Sequence, residues 1–206
     1  MTPMTATASP PAGDRRQERR AAKRAAILRE AWRLAHQDGL AAISLRELAD
    51  AVGLRQPSLY VYFDSKLALY DAMFADGYRQ LLEFIGSRRY GADPRRALSR
   101  LVADCVQFSS NDVVRHQLLF QRTIPGFEPS QESMSLAGEF YTLGQGLAEA
   151  AGVRTPAQLD VFTALVSGLA HQQVANDPGG RRWVRRADQV VEMFLADVNR
   201  RRKSTK

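Results

Sequence analysis

The 206-residue sequence predicts an all-α protein. Apolar residues recur at helical spacing through nearly the whole chain, with no convincing alternating strand. The periodic stretches are separated by Gly/Pro punctuation, and most open on a capping side chain. About nine helices result: three short ones near the N-terminus, then a larger helical bundle.

"RRQERRAAKRAAILREAWRLAHQDG" places Ile27, Leu28, Ala31, Trp32, Leu34 and Ala35 on one helical face, and Gly39 ends it as a C-cap. Ser44 and Glu47 form an S-x-x-E capping box for a second helix, with Ile43 and Leu48 at the hydrophobic-staple positions. Gly53 stops that helix. "LRQPSLYVYFDSK" follows as a helix of about two turns, with Pro57 near its start. Asp64 or Ser65 caps a long fourth helix.

Downstream, Asp93-Pro94 opens a helix towards Ser110, and Asp112 or Asn111 caps another towards Arg122. "TIPGFEPSQES" reads as a loop. A helix runs from about Ser133 to Ala151, and Thr155-Pro156 starts one reaching Val174. "NDPGG" is a stop before a last helix over roughly Arg182 to Arg200. The expected organisation is a disordered tail over 1–14, an N-terminal domain over 15–81, a second domain over 82–200, and a basic tail over 201–206.

The net charge is +7, and its distribution is uneven. Residues 1–66 carry 11 basic and 7 acidic groups, residues 67–180 carry 9 and 12, and residues 181–206 carry 9 and 3. A basic N-terminal part on an acidic middle suits a polyanion-binding module attached to something else. "RRQERRAAKR", Arg15 to Arg24, puts six basic groups at a helix N-terminus, where the helix dipole prefers acidic ones. A phosphate-tracking arm explains the mismatch, and entry into a minor groove is compatible with it.

The second and third helices, joined by "VGLRQ" with the motif over 44–63, have the length and turn chemistry of a helix-turn-helix. Leu48, Val52, Leu54, Leu59 and Phe63 can form its small core, with Ala49 small at the helix crossing. Leu59 and Phe63, four apart, share the inward face. Gln56, Ser58, Tyr60 and Tyr62 then face outward, where they can bond base edges or phosphates. Arg46 can reach a guanine or a phosphate. Ser44, Arg55 and Pro57 complete the expected DNA-facing set. Lys66 and the first amides of the fourth helix suit an anion. A buried aromatic helix would explain Leu59 and Phe63 but not this polar face.

"ISLRELADAVGLRQPSLYVYFDSKLALYDAM", Ile43 to Met73, resembles the tetracycline-repressor-like (TetR) family of bacterial regulators. The resemblance is carried by a Ser/Thr cap, a Leu-Ala pair, Gly-Val/Leu (here Gly53-Leu54), a small residue before Leu-Tyr, an aromatic pair and Lys-x-x-Leu, in order and at matching spacing. It implies base contacts from Arg46, Gln56, Pro57 and Tyr60, and phosphate contacts from Tyr60 and Lys66. Arg55 departs, because the family's namesake is acidic there, so the operator is expected to differ. "SGLAHQQVANDPGG" and "WVRRADQVVEMFL" are similar to C-terminal segments of some members.

For the second domain the resemblance implies dimerisation through the last two long helices and binding of an effector. Leu159, Phe162, Leu165, Val166 and Leu169 fall at helical spacing on one of these helices, as Val190, Val191, Phe194, Leu195 and Val198 do on the other. Ala164, Gly168 and Ala175 add a strip of small residues. Candidate pocket residues are Phe108, His116, Phe120, Phe127, Phe140, Tyr141, His171 and Gln172. Each alone reads as ordinary core; together they suit an apolar cavity with a few polar groups.

No hydrolase, metalloprotease or phosphate-loop motif occurs, so the chain reads as a non-enzyme without cofactor or metal site. Metal sensing would require two of His36, His116 and His171 to meet. The single Cys105 fits a reducing cytosol, and no apolar run has membrane-spanning length. The expectation is a cytoplasmic, homodimeric repressor that binds a palindromic double-stranded operator and is released by a small hydrophobic effector. An activator, or a regulator without effector, is the alternative.

Overall fold

The computed structural model describes the backbone of residues 12–204 and the side chains of residues 15–202. Among these residues every regular element is helical: α1 Ala12–Asp38, α2 Leu45–Ala51, α3 Gln56–Leu59, α4 Lys66–Gly86, α5 Pro94–Asn111, α6 Val113–Phe120, α7 Gln131–Ala150, α8 Pro156–Asn176 and α9 Ala187–Ser204. A 3-10 turn over Val184–Arg186 leads into α9. Residues 1–11, the larger part of the expected tail, lie outside the described residues. Residues 12–14 are helical where a tail is expected, and α9 likewise runs through residues 201–204.

The described residues form two compact units, which divide between Leu69 and Tyr70. In the first, Ile27, Ala31, Trp32, Leu34, Ala35, Leu48, Leu59 and Phe63 are buried. Gly39 terminates α1 at a positive φ of 88°, its N–H donating to Ala35 O at 2.9 Å. Ser44 Oγ caps α2 by accepting from Glu47 N at 3.4 Å. Between α2 and α3, Gly53 sits at φ 66°, and Leu54 N–H returns to Ala49 O at 2.8 Å. This Schellman closure needs a left-handed residue, which a side chain would strain.

α3 is shorter than the two turns the sequence suggests. It ends at Leu59, whose carbonyl accepts from both Tyr62 N at 2.9 Å and Phe63 N at 3.1 Å. That shared acceptor closes the chain into a turn. Ser65 Oγ, accepting from Ala68 N at 3.0 Å, then caps α4.

In the second unit, Leu98, Val102, Val106, Phe162, Leu169, Val191, Phe194 and Leu195 of α5, α8 and α9 form the main core. Asp93, Asp112 and Thr155 cap α5, α6 and α8, and Thr155 makes a complete capping box with Gln158. α7 begins two residues earlier than the sequence suggests, at Gln131. The reason is tertiary: Asp71 of α4 accepts from Ser130 N at 2.7 Å and Ser130 Oγ at 2.9 Å, which fixes Ser130 as the N-cap. Leu165, grouped by its spacing with the buried residues of α8, instead faces outward at 40% exposure.

Gln173 is fully buried in α8 and ties the segment before α9. Its Oε1 accepts from Trp183 N at 2.8 Å and Val184 N at 3.2 Å. Its Nε2 donates to the Asp177 backbone carbonyl and to Asp177 Oδ2.

Candidate functional site

Two places bring sequence-selected residues together, one in each unit. In the first, the burial of Leu48, Ala49, Leu59 and Phe63 turns the opposite side of α2 and α3 outward. Arg46, Arg55, Gln56, Pro57, Ser58 and Tyr60 are all exposed there, and Tyr62 is half-buried. Val61, which the sequence reading passed over, is 62% exposed on the same turn. Its position between two tyrosines, off the Leu59–Phe63 face, is the signal that could have found it.

Two of the selected residues are already engaged within the protein. Ser44 spends its hydroxyl on the α2 cap. Lys66, half-buried, donates from Nζ to Ala41 O at 2.9 Å.

The basic segment of α1 divides its charges. Lys23 Nζ donates to Val52 O at 2.6 Å, at the C-terminal end of α2 where a cation suits the helix dipole. Arg20 Nη2 donates to Val61 O at 3.1 Å, and Arg24 lies 4.9 Å from the centre of the Phe63 ring. Three of the arm's cations thus brace the motif, a role not evident from the sequence. Arg15, Arg16 and Arg19 are exposed.

In the second unit α5, α6, α7 and α8 enclose a cavity of about 350 Å³. Of the sequence-selected pocket residues, His116, Phe120, Phe140, Tyr141 and His171 line it. Phe120 packs 5.4 Å from His116 and 6.5 Å from Phe140, which lies 5.6 Å from Tyr141. His116 is 4% exposed, and Gln121 Nε2 approaches its Nε2 at 3.3 Å. Burial, and secondly the neighbouring His171, pull the His116 pKa down to about 4. Cys105 also lines the cavity, and burial pushes its thiol up to about 12.

The other three selected residues lie elsewhere. Phe108 turns onto Phe84, ring centres 5.6 Å apart, because it sits at the edge of the cavity-facing stripe of α5. Phe127, in the α6–α7 connection, packs against Tyr70 at 6.0 Å and Phe74 at 6.2 Å. Gln172 falls on the side of α8 opposite Leu159, Thr163, Val166 and Ala170, and accepts from Asn176 Nδ2 at 2.7 Å. Those four wall residues, with Leu101, Gln121 and Gln145, escape a sequence search for aromatics and histidines. Among the described residues no three His, Cys, Asp or Glu side chains cluster to hold a metal, and no helix is long and apolar enough to cross a membrane.

Residues 27–73, which contain the whole exposed helix pair, match the family model for bacterial regulatory proteins of the tetR family. The N-terminal unit belongs to the TetR family. Most of the chain shares the fold of TetR-family regulators of known structure. A TetR/AcrR-family transcriptional regulator from Thermobifida fusca superposes with a TM-score of 0.58 at 24% identity, over 84% of this chain and 96% of that one. A tetR-family regulator from Streptomyces coelicolor gives 0.64 at 19%, over 88% of each chain. FadR from Bacillus subtilis, in complex with stearoyl-CoA, gives 0.62 at 14%, over 82% of this chain and 96% of that one. At these identities the likeness is one of fold. No curated protein matches the chain.

Proposed function

We propose that this TetR-family chain is a DNA-binding transcriptional repressor, acting as a homodimer on a palindromic operator. The observation that carries the reading is the division of α2 and α3 into a buried apolar side and an exposed side bearing Arg46, Arg55, Gln56, Ser58 and Tyr60. A guanidinium, an amide and a phenol supply the donors and acceptors that major-groove edges require. Pro57 fixes the start of α3. Arg15, Arg16 and Arg19 lie beyond the braced part of α1, where they suit phosphates.

Dimerisation is supported by α8, which is apolar on both sides. Phe162, Leu169 and Ala170 are buried, while Val161 is 54% and Leu165 40% exposed. Ala164, Gly168 and Ala175 are exposed on the same helix, and Met193 of α9 is 65% exposed. Two copies also match the two half-sites of a palindrome.

The cavity of the second unit is the effector site in this reading. An effector that binds the DNA-incompetent state more tightly shifts the population towards it and releases the operator.

Genome-wide capture of bound fragments, followed by gel shift on the recovered sites, tests operator binding. A palindromic site bound at nanomolar concentration is expected; uniform affinity for unrelated duplexes would refute the operator reading. Deleting the gene should raise expression of the adjacent targets, and a fall would mark an activator instead.

A further inference from the structure

The wall of the cavity in the second unit carries no formal charge from an acid, a lysine or an arginine. Among the described residues that line it, the polar groups are hydroxyls, side-chain amides, one thiol and two imidazoles. Arg115, adjacent in sequence to His116, is not in the wall. Its guanidinium pairs with Asp112 at 2.9 Å and lies 6.0 Å from the centre of the Phe108 ring. Burial keeps the His116 imidazole neutral at pH 7 and the Cys105 thiol protonated, so neither offers a charge to a ligand.

A buried carboxylate or phosphate without a counter-ion costs several kcal/mol in desolvation, and an ionisable ligand would shift its own protonation instead. A ketone, ether, alcohol or phenol needs only one or two hydrogen bonds to enter the same wall. His116, Gln121 and Ser109 can provide them. The volume of about 350 Å³ lies at the lower end of the ~300–1,000 Å³ range for small-molecule sites. The rings of Phe120, Phe140, Tyr141 and Phe162 supply apolar surface around it.

We propose that this cavity selects an uncharged, largely apolar organic molecule with one or two hydrogen-bonding atoms, and rejects the corresponding carboxylates and nucleotide-bearing thioesters. The proposal rests on the reading of the cavity as an effector site. It separates this chain from a regulator whose effector carries phosphates, because the wall presents no lysine or arginine to pair with them.

The test uses the full chain at pH 7.5 with matched probes: 1-decanol against decanoate and decanoyl-CoA, and 2-naphthol against 2-naphthoate. Binding is read by calorimetry and by the rise in Tm, in the wild type and in Gly144→Leu. A Cβ at Gly144 meets only Leu101 Cδ2 at 3.9 Å, an ordinary contact, so the leucine side chain has room to grow into the cavity that Gly144 lines. The expected result is that at least one neutral probe binds tenfold or more tightly than its carboxylate. Decanoyl-CoA should not bind, and Gly144→Leu should abolish neutral-probe binding while operator affinity is kept. If a carboxylate or the thioester binds as tightly as its neutral partner, in a manner lost in Gly144→Leu, the selectivity is overturned and the effector cavity stands. If no probe binds, or Gly144→Leu leaves binding unchanged, the selectivity and the effector cavity fall together.

Discussion

Lys23 of α1 donates its ammonium to the carbonyl oxygen of Val52 at 2.6 Å, joining positions 29 residues apart. The contact is half-buried and closes the C-terminal end of α2, just before the Gly53 turn. A cation in a segment that reads as a phosphate-binding arm is therefore part of the scaffold that sets α2 and α3.

This division of labour within the arm predicts two different phenotypes. Lys23→Met should lower the stability of the N-terminal unit by about 1–2 kcal/mol, the range for a charged hydrogen bond whose acceptor is left unpaired. Arg16→Ala should leave stability unchanged within about 0.5 kcal/mol and reduce the salt slope of DNA binding by about 1. Urea titrations and gel shifts over a salt series distinguish them. Equal stability loss in both variants would contradict the assignment.

Tyr60→Ala should weaken operator binding by about 1–3 kcal/mol, the range for a lost base or phosphate contact. Tyr60 is 43% exposed, so the melting curve should barely move. Leu59→Ala, next to it but 1% exposed, should unfold the unit at lower temperature by about 2–5 kcal/mol of lost stability. Anisotropy with a labelled operator and thermal denaturation give the two readouts.

The buried His116 makes the stability of the second unit depend on pH. Its folded pKa is depressed from 6.5 to about 4, chiefly by burial and secondly by His171. Between those values the unfolded chain binds the proton and the folded chain does not, so stability rises with pH across that window. The contribution is fully present above pH 6.5 and is lost progressively as pH falls towards 4. Urea midpoints at pH 7.5, 6 and 5 should decline in the wild type more steeply than in His116→Gln. Parallel declines would mean that other groups set the dependence.

Leu165→Glu on α8 should convert a dimer to a monomer in sedimentation velocity. Its side chain is exposed, so its far-UV spectrum should be preserved. Operator affinity should then fall by at least tenfold, because one half-site no longer pays the ordering cost for the other. A dimer that survives this charge would place the interface elsewhere.

Much of the fold is readable from local signals. Ser44, Asp93, Asp112 and Thr155 cap their helices through bonds to residues two or three positions on. Gly39 and Gly53 adopt the left-handed conformations that their positions after apolar helical runs suggest. What escapes is set by distant partners. The start of α7 depends on Asp71, 59 residues before Ser130. The outward side of α8 could not be told from its inward side, because Val161 and Leu165 are as apolar as Phe162 and Leu169. In the cavity, the aromatics and histidines of α6, α7 and α8 stand out by residue type. Thr163, Val166 and Ala170 do not, since small and aliphatic side chains look alike in a wall and in a core.

Gln173 carries a consequence for which residues position 173 can tolerate. Its head group uses both of its chemical halves at once, the oxygen for the amides of Trp183 and Val184 and the nitrogen for Asp177. Glutamate keeps the shape but turns the donor into a second anion facing the Asp177 carboxylate. Leucine or methionine keeps the volume but orphans the N–H groups of Trp183 and Val184, the second of them buried. The site is therefore closed to change by bond polarity rather than by size. A drift at 173 would be felt first in the path from α8 into α9, far along the chain from α2 and α3.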